Sequence, residues 1–423
     1  MTEIIPFVAI VAFAYFFKNN RVNNFLTGLI FVSFIFFGTN YTTFGLDFGV
    51  FRYLHRLIGV LAILLLIFKV FKDKEYSFKD PVPLILMLFF GAMLASFVNN
   101  EIFFEYYFHY VRNFIFISGI VLYLYYFIDN SIKLDEIMKL IILLTLIISL
   151  FAVFEVIQAG WSTRITLFFS NPNYLGAALL PGLACTFFSK SKYLWITAII
   201  IIIAIFATGS RGAMVPAIFI FLTYLYYKRF KISYIVPSLI VMTIITTVFF
   251  DQIVTNKNKS GIRISLAALG VNILQDKPIN GMGYGQFRKY YYKYINDDVL
   301  KLNNVEFIRA IRSYDKSLSD ETLRKEGIVR NYEIMTHNDM LTIIVELGLI
   351  GLACTLFLFY KLYIELKRLL LYNRDDYFLS IAIIGSSLLF SMTHNNMTSY
   401  IFWFVLFVPF IFNRNYYKSL ASE

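Results

Sequence analysis

Long apolar runs separated by short polar breaks occupy most of the chain, and one long polar stretch interrupts them. Candidate spans lie near 4–17, 23–38, 48–71, 82–98, 108–128, 136–158, 173–189, 193–208, 212–227, 232–250, 339–364, 377–393 and 398–412. A hydrocarbon core of ~30 Å is crossed by ~20 helical residues or somewhat fewer, so these runs predict transmembrane helices. The first and the last two are short, which sets the expected number at about 12–13. The runs are continuous rather than alternating, and that excludes a β-barrel. The pattern therefore predicts an all-α polytopic membrane protein with one large polar, helical segment at 251–338. It divides the chain into a bundle at 1–250, the polar segment at 251–338 and closing transmembrane helices at 339–423. The opening MTEIIPFVAIVAFAYFF has neither a basic leader nor a small-residue cleavage site, and it reads as a first span.

Composition changes this picture little. The chain has 423 residues, is 59% hydrophobic and only 15% charged, a balance unlike that of a soluble domain. Its formal net charge of +11 does not call for a nucleic-acid partner, because the lysines collect in alternate short loops. One set of loops holds Lys18 and Arg21, Lys69 to Lys79, Lys133 and Lys139, Lys190 and Lys192, Lys228 to Lys231, Lys361 to Arg374, and Arg414 with Lys418. The positive-inside rule assigns this set, and the C-terminus, to the cytoplasm. The N-terminus and the 251–338 segment then face outward. Cys185 and Cys354 both lie in apolar runs and read as core residues rather than as a disulfide.

The outward loops carry the candidate chemistry. Cations are discouraged on that face, yet it holds Arg52, His55 and Arg56, then His109 and Arg112, Arg164 and Arg211. Planar, bidentate binding of phosphate or carboxylate gives these arginines a reason. Arg211 sits in Thr208-Gly-Ser-Arg-Gly-Ala213, between two spans, where its glycines allow close approach of helices or ligand. Ser210 precedes it. Arg164 and the Asn171-Pro-Asn173 turn form another outward loop, and the amides of that turn, Asn173 among them, suit a sugar.

Within the long segment, GIRISLAALGVNILQ at 261–275 puts Ile262, Leu266, Leu269 and Ile273 on one face and reads as an amphipathic helix on the membrane surface, with Arg263 at its start. Pro278 and the glycines of 281–285 then predict a structural turn rather than a nucleotide site. The tyrosine-, lysine- and arginine-rich stretch 287–331 reads as a solvated helical cap, with a glycan-facing surface as the alternative. Thr336-His-Asn-Asp339 opens the next span. His337 would titrate near neutrality at the boundary and serve as a general base, with Asn338 or Asp339 capping the helix. His394, in Thr393-His-Asn-Asn-Met397, reads as a supporting residue. No D-x-D pair and no histidine–carboxylate cluster has metal-ligand spacing, so the expected chemistry needs neither metal nor cofactor.

Three of these elements, in order, resemble the O-antigen ligase/polymerase superfamily of bacterial surface-polysaccharide enzymes. They are TGSRGA at 208–213, the arginine-bearing helix leading into Pro278-Ile-Asn-Gly-Met-Gly283, and HND followed by the E-x-G-L-I-G-L run that ends at Leu352. The resemblance covers roughly 170–412. It implies a GT-C-like helical membrane fold in a bacterial cytoplasmic (inner) membrane, with an active site facing the periplasm or outside. It also implies a donor glycan on undecaprenyl diphosphate, a lipid-linked glycan acceptor, the lipid bilayer as surroundings and a chain-length regulator as a further partner. Carried onto this chain, Arg211 and Arg263 would bind the diphosphate and His337 would be the catalytic base. Asn338, Asp339, Ser210, Arg164, Asn173 and His394 would support them.

On this reading the chain polymerises carrier-linked repeat units by inverting transfer. A ligase that delivers glycan to lipid A core, or a related oligosaccharyltransferase, shares the motifs. A lipid-linked sugar flippase is the reading of a different class, although such transporters commonly show repeated halves and none is visible here. A non-catalytic scaffold leaves Arg211, Arg263 and His337 on one face without a purpose.

Overall fold

A computed structural model describes residues 59–64, 66–67, 80–98, 100–127, 134–161, 163–167, 169, 171–189, 194–230, 261–302, 304–394 and 400–421. The expected spans near 4–17, 23–38 and 232–250 lie outside these residues, as do most of that near 48–71 and the loop residues Arg52, His55 and Arg56. The described residues form helices and no β-strand, in keeping with the all-α expectation.

Among the described residues, nine long helices form the bundle and an additional set caps it. In order they are α1 (Pro81–Ala95), α2 (Phe104–Phe127), α3 (Leu134–Ala159), α4 (Pro172–Phe188), α5 (Leu194–Ala207) and α6 (Arg211–Tyr227). The cap follows with α7 (Gly261–Asp276), α8 (Phe287–Tyr290), a 3₁₀ turn at Tyr291–Tyr294, α9 (Asp297–Leu302), α10 (Asn304–Tyr314) and α11 (Asp320–Lys325). The chain closes with α12 (Asp339–Tyr372), α13 (Arg374–Ser391) and α14 (Tyr400–Ala421). Among the described residues, three regions are long and apolar enough to cross a membrane: Phe104–Tyr126, Ile137–Ala159 and Asp339–Tyr372. Pro81–Ala95, Trp195–Ala207, Arg211–Tyr227 and Phe402–Arg414 are shorter apolar helices. α12 outruns its expected end at 364 because charge ends an apolar run without ending a helix. Glu365 and Arg368 pair one turn apart at 2.7 Å, and Asn373 alone stops the helix and caps α13 through Asp375 N at 2.9 Å.

The packing is a continuous chain of neighbours. α3, α4 and α5 pack together; α4 and α6 pack against α13; α13 reaches α12 and α14; α1, α2 and α14 complete the far side. Small residues let helices close up, as where Gly182 faces Thr145 and Gly176 faces Ala213. Aromatic rings fill the opposite side, with Trp403 edge-on to Phe89 at 5.1 Å and to Phe114 at 5.4 Å. Cys185 and Cys354 are free and buried, as expected of core residues. The described parts of the loops that the charge pattern placed on one side lie at one end. Asp80, Tyr126 and Arg414 meet at one end, where Arg374 and Tyr227 also meet; at the other, Ser96 and Asn100 bond the 281–284 turn of the cap, Arg164 bonds Thr208 and Asn173, and Asn338 bonds Met392.

The cap has its own core, built from Leu266, Leu269 and Ile273 of α7, Phe287, Tyr291, Phe307 and Ala310, and it includes Val345 of α12. This corrects one expectation. The apolar face of α7 that the spacing identified, Ile262, Leu266, Leu269 and Ile273, meets protein rather than membrane, because α9 and α12 lie against it. The glycine turn was rightly read as structural, and the structure shows its partner. α12 is broken at Gly348, whose φ of 62° and ψ of −153° are not helical. Amides and carbonyls freed by the break are taken up by the turn. Met282 N and Gly283 N donate to Val345 O (2.9 Å) and Glu346 O (3.1 Å), while Leu349 N and Ile350 N donate to Pro278 O (2.9 Å) and Ile279 O (3.1 Å). Backbone that leaves a helix at membrane depth must be satisfied by protein, and here a four-bond exchange does it. The buried Glu346 carboxylate adds two more contacts, accepting from Gly285 N at 2.9 Å and Phe287 N at 3.1 Å.

Candidate active site

The TGSRGA hexapeptide is a tight helix-to-helix turn in which each residue has a task. Thr208 accepts the Ser210 amide at 3.1 Å and donates to Ile205 O at 2.7 Å. Gly209 takes the left-handed conformation the turn needs (φ 57°). Ser210 is the N-cap of α6 and is fully buried, with its Oγ unpartnered. Arg211 occupies the first helical position and is exposed. Ala213 packs on Gly176. At Gly212 an added Cβ would lie 2.5 Å from His394 Cε1, so the glycine is there to seat the His394 ring.

Arg164 is drawn into the same turn. Its Nε donates to Thr208 O at 3.1 Å and its Nη2 to Asn173 Oδ1 at 3.2 Å. Asn173 itself is fixed by the Asn171 cap, so the expected amide pair and arginine form one unit. Partial desolvation, followed by the neighbouring Arg211, lowers the proton affinity of the Arg164 guanidinium.

His337 stands opposite. Its φ of 52° is left-handed, a conformation uncommon for a non-glycine residue and a pointer to function. Its neighbours hold it there. Thr336 is buried and its hydroxyl meets Thr342. Asn338 caps α12 by accepting Leu341 N at 3.0 Å and donates from Nδ2 to Met392 O at 3.0 Å. Asn338 therefore ties the His337 turn to the loop bearing His394. His394 stacks on Phe390 with ring centroids 4.6 Å apart and shares a hydrogen bond with Thr393 Oγ1 at 2.9 Å.

The electrostatics draw these pieces into one locus. The His337 imidazole is held below its ordinary value by desolvation and then by Arg263. His394 is pushed down to about 4 by desolvation first, and then by Arg263, His337 and Arg164. Arg164 is in turn affected by Arg211. Three arginines and two histidines from five stretches of chain are thus linked pair by pair, Arg164, Arg263 and His337 through His394 and Arg211 through Arg164, and the positive N-terminal end of α6 adds to them. Arg263 is exposed and has no hydrogen-bond or ion-pair partner among the described residues. An anion is the ligand that such a locus can hold, and a neutral imidazole beside it can accept a proton. Among the described residues no group of three or more His, Cys, Asp or Glu could hold a metal ion.

Asp339, expected as a supporting residue, is buried and faces away from water, within electrostatic reach of Tyr174 and Tyr284. Other members escaped the sequence reading. Glu346 is the brace of the turn, and its signal was a carboxylate inside an apolar run. Arg288 pairs with Glu333 at 2.6 Å and hydrogen-bonds Tyr110. Nothing in the spacing set it apart from the other basic residues of the cap.

The family comparison now has a geometry to meet. Residues 196–307 match the family model of O-antigen ligase. The matched stretch takes in Arg211 and Arg263 and ends before His337. It agrees with the ligase/polymerase resemblance and points to a glycosyltransferase-like membrane enzyme of O-antigen biosynthesis. A comparison with curated proteins finds no match.

Proposed function

We propose that the protein polymerises undecaprenyl-diphosphate-linked oligosaccharide repeat units on the outward face of the bacterial cytoplasmic membrane, by inverting glycosyl transfer without a metal. The observation that carries this reading is the cluster in which Arg263, His337 and Arg164 bear on His394, with Arg211 joined to it through Arg164 and through Gly212, which lies against the His394 ring. The donor's diphosphate would lie between Arg211 and Arg263, where the guanidinium forks and the α6 N-terminus neutralise charge that grows on the leaving oxygen. His337 would take the proton of an acceptor hydroxyl. That oxygen attacks the anomeric carbon from the face opposite the diphosphate. The new C–O bond forms as the bond to the diphosphate oxygen breaks, the electron pair leaves with the diphosphate, and the anomeric centre inverts. Asn338 would hold the base in place, while Asn173 and Arg164 would complete the anion-binding wall. A chain-length regulator would act from outside this locus.

The second reading is ligation to lipid A core, and the name of the matched family favours it. The two differ in acceptor alone. Purified protein in liposomes, given carrier-linked repeat units and nothing else, is expected to build a ladder of chain lengths. A ladder or single transfer that requires lipid A core would replace polymerase by ligase. A flippase would instead leave repeat units on the cytoplasmic leaflet when inactivated.

A further inference from the structure

α7 has a second apolar face, and none of the described residues covers it. Ile264, Ala267 and Val271, at helical spacing on the side away from the cap core, are all exposed and carry no charge among them. Past the end of the helix, Ile279 is exposed too, and its carbonyl and that of Pro278 are bonded to Ile350 N and Leu349 N of α12. From there the exposed apolar surface runs down α12 through Leu349, Ala353, Leu356, Tyr360 and Tyr363, which share one helix face. Ile264, Val271, Ile279, Leu349 and Leu356 are each more than half exposed. The lower part of this strip belongs to a helix long and apolar enough to cross a membrane, so hydrocarbon is its natural cover. The upper part is joined to it by two backbone hydrogen bonds. An uncharged apolar stripe continuous with a lipid-facing one has the same solvent.

We propose that α7 lies half-sunk in the outward leaflet, with Ile264, Ala267 and Val271 against lipid hydrocarbon. Its opposite face remains in the cap core, so the helix joins folded cap to membrane instead of floating on either. Arg263 adjoins Ile264 and then stands at the depth of the lipid headgroups. Taken with the reading of Arg263 as a diphosphate ligand, on which this step rests, a lipid-linked donor could reach the site by lateral movement, its phosphates never leaving headgroup depth.

The test places nitroxide labels by Ile264→Cys and Val271→Cys in a Cys185→Ala, Cys354→Ala background, reconstituted in liposomes. Leu356→Cys serves as the lipid-facing reference and Val329→Cys, exposed in the cap, as the aqueous one. Collision with oxygen should be high and with a water-soluble nickel chelate low at 264 and 271, matching 356 and opposite to 329. Chelate access like that at 329 would overturn the proposal, as would low access to both reagents, which would mean a protein partner or a second copy covers the face. If the cysteine-free background does not fold, Val271→Trp in the native chain gives a second reading. Lipids brominated on their acyl chains should quench the added fluorescence, and unquenched emission would overturn the proposal. Neither readout involves glycosyl transfer, so their failure and a failure of the transfer reaction are separable.

Discussion

Replacing Gly348 by alanine tests the junction between the cap and the bundle. The residue has φ 62° and ψ −153°, a region essentially confined to glycine, and an L side chain there costs about 1–3 kcal/mol before any contact is considered. Contact is then severe, since the added Cβ would lie 2.4 Å from Ile279 O and 2.5 Å from Gly281 N. Both atoms are backbone and cannot swing aside. Relief requires the 278–283 turn to withdraw, which breaks some of the four hydrogen bonds that exchange partners across the break. Each is worth roughly 1 kcal/mol net, and each buried group left unpaired costs about 1–3 kcal/mol. Losing two of the four, with one buried group stranded at each, adds about 2–6 kcal/mol and puts the total at about 3–9 kcal/mol. Gly327→Ala is the internal control, because it shares the left-handed φ (66°) but has open space around it; its cost should stop at about 1–2 kcal/mol. Thermal inactivation of detergent-solubilised protein, followed by monodispersity, compares the two at a fixed heating rate. Gly348→Ala is expected to lose several times more resistance than Gly327→Ala and to release the cap to proteolysis. Equal effects would mean that the interlock contributes nothing beyond backbone strain.

Other outcomes follow from the site. His337→Ala should insert and fold normally yet make no long chains, with glycan length on gels as the measure; a normal ladder would remove the base from the mechanism. Arg211→Lys keeps the charge and loses the bidentate fork, so turnover should fall at least ~100-fold, about 3 kcal/mol of transition-state stabilisation; full activity would leave the arginine a mere interfacial cation. His394 binds its proton only near pH 4 when folded but near 6.5 when unfolded. The unfolded state then holds the extra proton between those values, so stability falls as pH drops from about 6.5 towards about 4, by up to ~3 kcal/mol. His394→Phe, which preserves the stack on Phe390, should flatten that acid slope in thermal-shift profiles, and an unchanged slope would count against the assignment. Glu346→Gln should detach one of the two amides it now accepts and lower heat resistance by about 1–3 kcal/mol, while Glu346→Asp, too short to reach both, should not rescue it.

Much of the architecture was legible in the linear pattern because a membrane helix must satisfy its backbone internally and shed its charges at its ends. The ends of α2, α3, α4, α5 and α6 fall within a few residues of the apolar runs. The loops that are described also sort to two ends. The candidate residues Arg211, Arg263 and His337 were visible because a cation or an imidazole beside a long apolar run needs a reason. His394 was undervalued. Its place depends on Gly212, some 180 residues earlier, and no local spacing carries that contact. The same holds for Glu346, whose amide partners lie about 60 residues away.

The sequence by itself determined that this is a helical membrane protein, which residues leave water, and which few polar groups stand out against the apolar background. Only the tertiary structure decided what those groups face. Periodicity marked one side of α7 as apolar and assigned it to the membrane; folding turned that side onto α9 and α12 and left the other side uncovered by any described residue. The glycines of 281–285 read as a local turn, yet they are one half of a backbone exchange whose other half is the break at Gly348. The physical reason is the same in both cases. Hydrophobicity and backbone conformation are properties of a residue and its neighbours in sequence, whereas the partner that satisfies them is chosen by the packing of distant helices.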